Sequence, residues 1–96
     1  MKKMANAIVT FKLRPESPDV NVDSIVEKAK KIATETGAKG NVAHEIKPIA
    51  FGLKEIIILG MYEMKDDFNS ETVANKMSEI EGVSEAEVAN VDLAMG

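Results

Sequence analysis

Chemistry in a small domain starts from a nucleophile, an acid–base pair or a metal cluster. Few of the 96 residues qualify for any of these roles. Cysteine is absent, which excludes disulfides, thiolate catalysis and cysteine-ligated metals. His44 is the sole histidine. It alternates with Val42 and Ile46 on one face of a strand-like segment, so it reads as a surface or half-buried side chain and not as a catalyst. Asp66 and Asp67 form an adjacent carboxylate pair, but a hard cation takes about six to eight oxygens at graded spacing. The pair reads as solvated. Gly37-Ala38-Lys39-Gly40 has neither the spacing nor the terminal Ser/Thr of a phosphate-cradling loop. Nothing here calls for a catalytic set, a metal or a cofactor.

What remains is binding. Pro48-Ile49-Ala50-Phe51-Gly52-Leu53-Lys54-Glu55 leads into the aliphatic run Ile56-Ile57-Ile58-Leu59. Such a run reads as a strand buried on both faces, and Gly52 before it permits a bulge or tight bend. Phe51 then falls at a sheet corner. Two readings of it stand: an anchor for a partner's pocket, or a ring that closes the core at a strand end. Lys54, the first polar residue of the strand, is a partner contact or a solvated edge.

Composition limits the partners. Hydrophobic residues make up 45% and charged residues 29% of the chain, the balance of one ordinary soluble globular domain over residues 1–96. No apolar run reaches membrane-spanning length, and the N-terminus lacks the apolar stretch of a secretion signal, which fits a cytoplasmic protein. The net charge is −4, against the basic footprint of a general nucleic-acid binder. Charge is uneven: residues 1–65 hold 11 basic and 8 acidic side chains, while residues 66–96 hold Lys76 against 8 acidic ones. The acidic third reads as a solvated surface.

The elements that must position these residues follow from periodicity. Ala5, Ala7, Val9, Phe11 and Leu13 alternate with Asn6, Ile8, Thr10, Lys12 and Arg14, a first strand ending at Arg14-Pro15. Asn21 caps a helix whose apolar face is Val22, Ile25, Val26, Ala29, Ile32 and Ala33, closed near Thr36-Gly37. A weaker second strand covers residues 41–49, with Pro48 marking it as an edge. Leu53 to Met64 is the third strand, followed by a turn at Lys65-Asp66-Asp67-Phe68. Asn69 or Ser70 caps a second helix bearing Val73, Ala74, Met77 and Ile80. Val83 to Leu93 is the fourth strand; its apolar phase shifts between Ala86/Val88 and Val91/Leu93/Met95, which predicts a bulge near Ala89-Asn90. The order β-α-β-β-α-β, with two one-faced helices, specifies an α+β ferredoxin-like sandwich. Both helices cover one face of a four-stranded antiparallel sheet, and the first and third strands lie central. Phe51, its neighbours Ile49 and Ala50, and the tail of the last strand are expected to gather at one end of that sheet. RNA-binding modules share this topology but stack bases on sheet aromatics; with 4% aromatic residues, no direct nucleic-acid contact is expected.

Three blocks together resemble the archaeal elongation factor one-beta family: Arg14-Pro15-Glu16-Ser17-Pro18-Asp19-Val20, Pro48-Ile49-Ala50-Phe51-Gly52-Leu53, and Glu79-Ile80-Glu81-Gly82-Val83-Ser84 with Glu87-Val88. The resemblance spans about residues 5–93. It implies a guanine-nucleotide exchange domain that promotes GDP release from the translational GTPase elongation factor one-alpha. It also implies that the aromatic at Phe51 inserts into the GTPase, with Ile49, Gly52 and Lys54 beside it. Eukaryotic relatives carry, near the C-terminus, a lysine that reaches the GTPase magnesium site; here Leu93 stands approximately at that place and no basic residue follows. The displacement is then expected to fall more heavily on Phe51. The chain lacks the subunit-recruiting N-terminal extension of eukaryotic relatives, so a free-standing monomer is expected.

Two other functions share the topology. A ferredoxin-like regulatory domain that binds a small metabolite between subunits predicts a symmetric dimer. An acyl-phosphate-cleaving enzyme needs an arginine and an asparagine around a phosphate loop. Arg14, the sole arginine, precedes a proline-bounded loop without that cradle.

Overall fold

The computed structural model describes residues 6–64 and 68–94. Along the chain run β1 (Asn6–Pro15), α1 (Val22–Glu35), β2 (Lys39–Pro48), a single 3-10 turn (Ala50–Gly52), β3 (Lys54–Glu63), α2 (Ser70–Ser78) and β4 (Val83–Ala94). The strands form one antiparallel sheet in the order β2-β3-β1-β4, which gives the ferredoxin-like βαββαβ arrangement with β1 and β3 central and β2 at an edge.

Alternation in β1 sends Ala7, Val9, Phe11 and Leu13 toward the helices, all fully buried. Ile56, Ile58 and Tyr62 of β3 join them, and α1 (Ile25, Val26, Ala29, Ala33) and α2 (Val73, Ala74, Met77) close the layer. Each large buried side chain contributes about 1.5–3 kcal/mol. Asn21 caps α1 by accepting from the Ser24 amide at 3.3 Å, and Asn69 caps α2 by accepting from the Glu71 amide at 2.9 Å. At the other end of α1, Gly37 takes φ 115° after Thr36.

Several boundaries differ from the sequence expectation. Residue Pro15 still belongs to β1, opposite Val83 and past a register irregularity; at the last position of a strand its missing N–H costs little. Strand β2 starts at Lys39 and ends at Pro48, and its register with β3 slips between Lys39 and Ala43, where Gly40 adopts φ 67°. Strand β3 is buried on both faces only around Ile56–Ile58. The helix-free face has no covering layer, and Ile57 is shielded there between its cross-strand neighbours Lys12 and Glu45, while Met61 and Ile8 are partly exposed. The bulge in β4 is present: Asn90 pairs with Thr10 and Val88 with Phe11, leaving Ala89 as the extra residue. Ala5, the turn at Lys65-Asp66-Asp67 and Met95 lie outside the described residues.

Candidate functional site

The site is built on the β2–β3 hairpin. Pro48 pairs with Lys54, the last pair of the ladder. Beyond it the Ile49 amide donates to the Leu53 carbonyl at 2.8 Å, and the Leu53 amide donates to Ala50 O at 3.3 Å. Only Ala50, Phe51 and Gly52 remain to reverse the chain. The reversal is achieved by two successive residues with positive φ, Phe51 at φ 64°, ψ 30° and Gly52 at φ 75°. Glycine accepts this without a Cβ penalty. For phenylalanine the left-handed region costs roughly 1–2 kcal/mol, and Phe51 is the only non-glycine residue with positive φ among the described residues.

Nothing in the core repays that cost. The Phe51 side chain is 94% exposed, and Ile49 beside it is 39% exposed. The core-closing reading of Phe51 is therefore overturned: the ring stands outside, at the end of a hairpin. A large aromatic held both in a strained backbone conformation and away from the core is the combination expected of a residue kept for contact with something else.

Ile49, Phe51, Gly52 and Lys54 are together on this projection. Leu93 is not. It pairs with Ala7, which in turn pairs with Tyr62, and Tyr62 lies eight residues along β3 from Lys54, about 26 Å at roughly 3.3 Å per residue. The expectation of one cluster at one end of the sheet is corrected. Leu93, 62% exposed, and Val91, 43% exposed, form a separate apolar ledge at the opposite end. Asp92 between them faces the helix-free side, where Asn90 Nδ2 donates to its Oδ2 at 2.9 Å.

Lys47 was not singled out by the sequence. It sits one position before Pro48 and, like Lys54, is exposed. Its cross-strand partner Glu55 is engaged from the other side by Arg14 at 3.9 Å. The signal was its place in the alternation Ala43, Glu45, Lys47, which puts it on the helix-free face beside the tip.

The remaining chemistry is sparse. His44 is exposed on the edge strand opposite Ile58. Among the described residues no three His, Cys, Asp or Glu side chains gather as a metal site, and no helix is long and apolar enough to cross a membrane. A cavity of about 420 Å³ opens between the end of α1 and the start of α2, lined by Thr36, Lys39, Tyr62, Phe68, Thr72 and Lys76. It lies at the Leu93 end of the sheet, away from the hairpin.

Comparison with known proteins decides the family. The profile of the EF-1 guanine nucleotide exchange domain matches residues 8–94. The chain belongs to this family. Its relatives include an elongation factor 1-beta of Nanoarchaeum equitans, 38% identical over 77% of this chain and 88% of the relative. Elongation factor 1-beta of Pyrococcus horikoshii is 35% identical over 90% of this chain and 92% of its own. That of Sulfurisphaera tokodaii is 35% identical over 92% of this chain and 94% of its own. Membership in an EF-1 guanine nucleotide exchange family supports a nucleotide-exchange role in translation elongation and a GTPase as the kind of partner.

Proposed function

We propose that this protein promotes exchange of GDP for GTP on the translational GTPase elongation factor one-alpha by binding and stabilising its nucleotide-free state. It acts in the cytoplasm as a single copy, without making or breaking a bond. The observation that carries this reading is Phe51, 94% exposed on a strained turn within a chain of the exchange family.

The thermodynamics is linkage. A protein that binds the nucleotide-free GTPase more tightly than the GDP form lowers GDP affinity by the same factor. GTP then enters by mass action. Burying a ring now in water supplies about 2–3 kcal/mol, which is roughly 30- to 150-fold in affinity. If that burial is available only in the nucleotide-free state, all of it drives GDP release. Ile49 widens the apolar contact, Gly52 completes the turn that presents the ring, and Lys54 stands at its base. Leu93, at the far end, forms a second and separate contact; with leucine there, no cation is delivered to the GTPase magnesium site.

The test is release of fluorescent GDP from purified archaeal elongation factor one-alpha, with wild-type protein and with Phe51→Ala. Wild-type protein accelerates release. Phe51→Ala abolishes most of the acceleration while its melting temperature stays within a few degrees, because the exposed ring packs on nothing. No acceleration by saturating wild-type protein would sink the proposal.

A further inference from the structure

Between residues 47 and 54 the chain carries two cations, Lys47 and Lys54, and no carboxylate. They flank the apolar tip Ile49-Ala50-Phe51 from both strands of the hairpin. Lys54 continues the phase of Ile56 and Ile58 and so lies toward the helix side, whereas Lys47 pairs with Glu55 on the open side. By this alternation the two lysines belong to opposite faces of the hairpin, at the base of its tip.

Both lysines are exposed, and neither forms a salt bridge among the described residues. The one carboxylate in register with Lys47, Glu55, is instead drawn to Arg14. This positive collar is set on a protein whose net charge is −4. Free lysines on an edge strand also discourage strand-to-strand aggregation. That role explains Lys47 on edge strand β2, but not Lys54 on central β3.

We infer that the tip docks into an apolar pocket whose rim carries carboxylates, and that Lys47 and Lys54 steer the approach by charge. This rests on the exchange reading above and specifies the partner surface for it. Opposite charges around an apolar anchor raise the encounter rate and fix orientation more than they add to the final affinity. Such steering works over about 8–10 Å and fades as salt shortens that range.

The experiment measures stimulated release of fluorescent GDP from archaeal elongation factor one-alpha as a function of this protein's concentration, at about 50 mM and about 500 mM salt. The variant Lys47→Gln/Lys54→Gln should raise the half-saturating concentration about five- to ten-fold at low salt. The maximal release rate should change far less, and the gap should close at high salt. Lys47→Glu/Lys54→Glu should raise it further, and Lys47→Arg/Lys54→Arg should restore it. Lys28→Gln/Lys31→Gln on α1 removes the same charge from exposed positions away from the tip and serves as the control. A half-saturating concentration that is unchanged, equally raised by the α1 control, or raised by the same factor at both salt concentrations overturns the collar. Phe51→Ala in the same series separates the failures. If it abolishes release while the lysine variants behave as wild type, the anchor stands and the collar falls. If Phe51→Ala releases GDP normally, the anchor falls and takes the collar with it.

Discussion

Tyr62 shows what one residue does for the sheet–helix layer. Its ring packs edge-on to Phe11, with centroids 6.3 Å apart, and against Phe68 at 4.8 Å. Its hydroxyl donates to the Ala33 carbonyl at 3.2 Å, in the last turn of α1, and lies 3.2 Å from the Thr36 hydroxyl. Burial pushes the phenol above its ordinary value near 10, and the Thr36 contact pulls it partly back. The neutral phenol is therefore favoured by folding. Above pH ~10 the unfolded chain gives up a proton that the folded chain keeps, so stability that is fully present below that pH is lost as pH rises through the folded value. Tyr62→Phe should cost about 1 kcal/mol at neutral pH and should abolish the part of the alkaline loss that belongs to this residue. Urea unfolding of both proteins at pH 8 and pH 11 checks it. Phenolate absorbance reports the site alone, because the chain has one tyrosine and no tryptophan. Parallel loss of stability in the two proteins would show that the phenol is not responsible. The sequence marks Tyr62 as a strand residue but does not name its partner, since Ala33 lies 29 residues away and only the tertiary fold joins them.

Elements were readable wherever one side meets water and the other meets the core. In β1 every second residue from Ala7 to Leu13 is buried, and in α1 the buried set Ile25, Val26, Ala29 and Ala33 repeats at helical spacing between an asparagine cap and a terminal glycine. The bulge in β4 was readable for the same reason: Val88 and Val91 share the helix side though three residues apart, which an uninterrupted strand forbids. The hairpin turn was not readable in its geometry. Pro48 and Gly52 announce a reversal, but no local pattern says that Phe51 itself takes positive φ; three loop residues between a closed ladder impose it. A testable consequence belongs to this turn. Asparagine tolerates the left-handed region better than phenylalanine, and the ring it replaces packs on nothing. Phe51→Asn should therefore stabilise the protein by about 0.5–1 kcal/mol, seen as a higher urea midpoint with an unchanged slope, while stimulated GDP release is lost. A midpoint lower than wild type would mean that the ring contributes to the fold after all, and the view of a residue retained against its own strain would be wrong.

At the scale of the whole molecule, strand direction decides which residues can act together. Antiparallel pairing sets the end of β4 beside the start of β1, and the β2–β3 tip beside the end of β1. The element order and sheet arrangement read from the sequence already implied this separation. Apolar character alone does not say which end of a strand a residue occupies, so Leu93 and Phe51 are told apart only by strand direction. The two positions are too far apart to share a neighbour, and mutational effects at sites more than about 7–10 Å apart add within roughly 0.3–0.5 kcal/mol. Phe51→Ala and Leu93→Ala should then be additive in stability. Their losses of affinity for nucleotide-free elongation factor one-alpha, measured by titration calorimetry, should also add if the GTPase holds both ends of a rigid domain. A coupling of more than about 1 kcal/mol would mean that binding at one end alters the other through the sheet or through the GTPase. An unchanged affinity for Leu93→Ala alone would remove the far ledge from the interface and leave the hairpin as the sole lever.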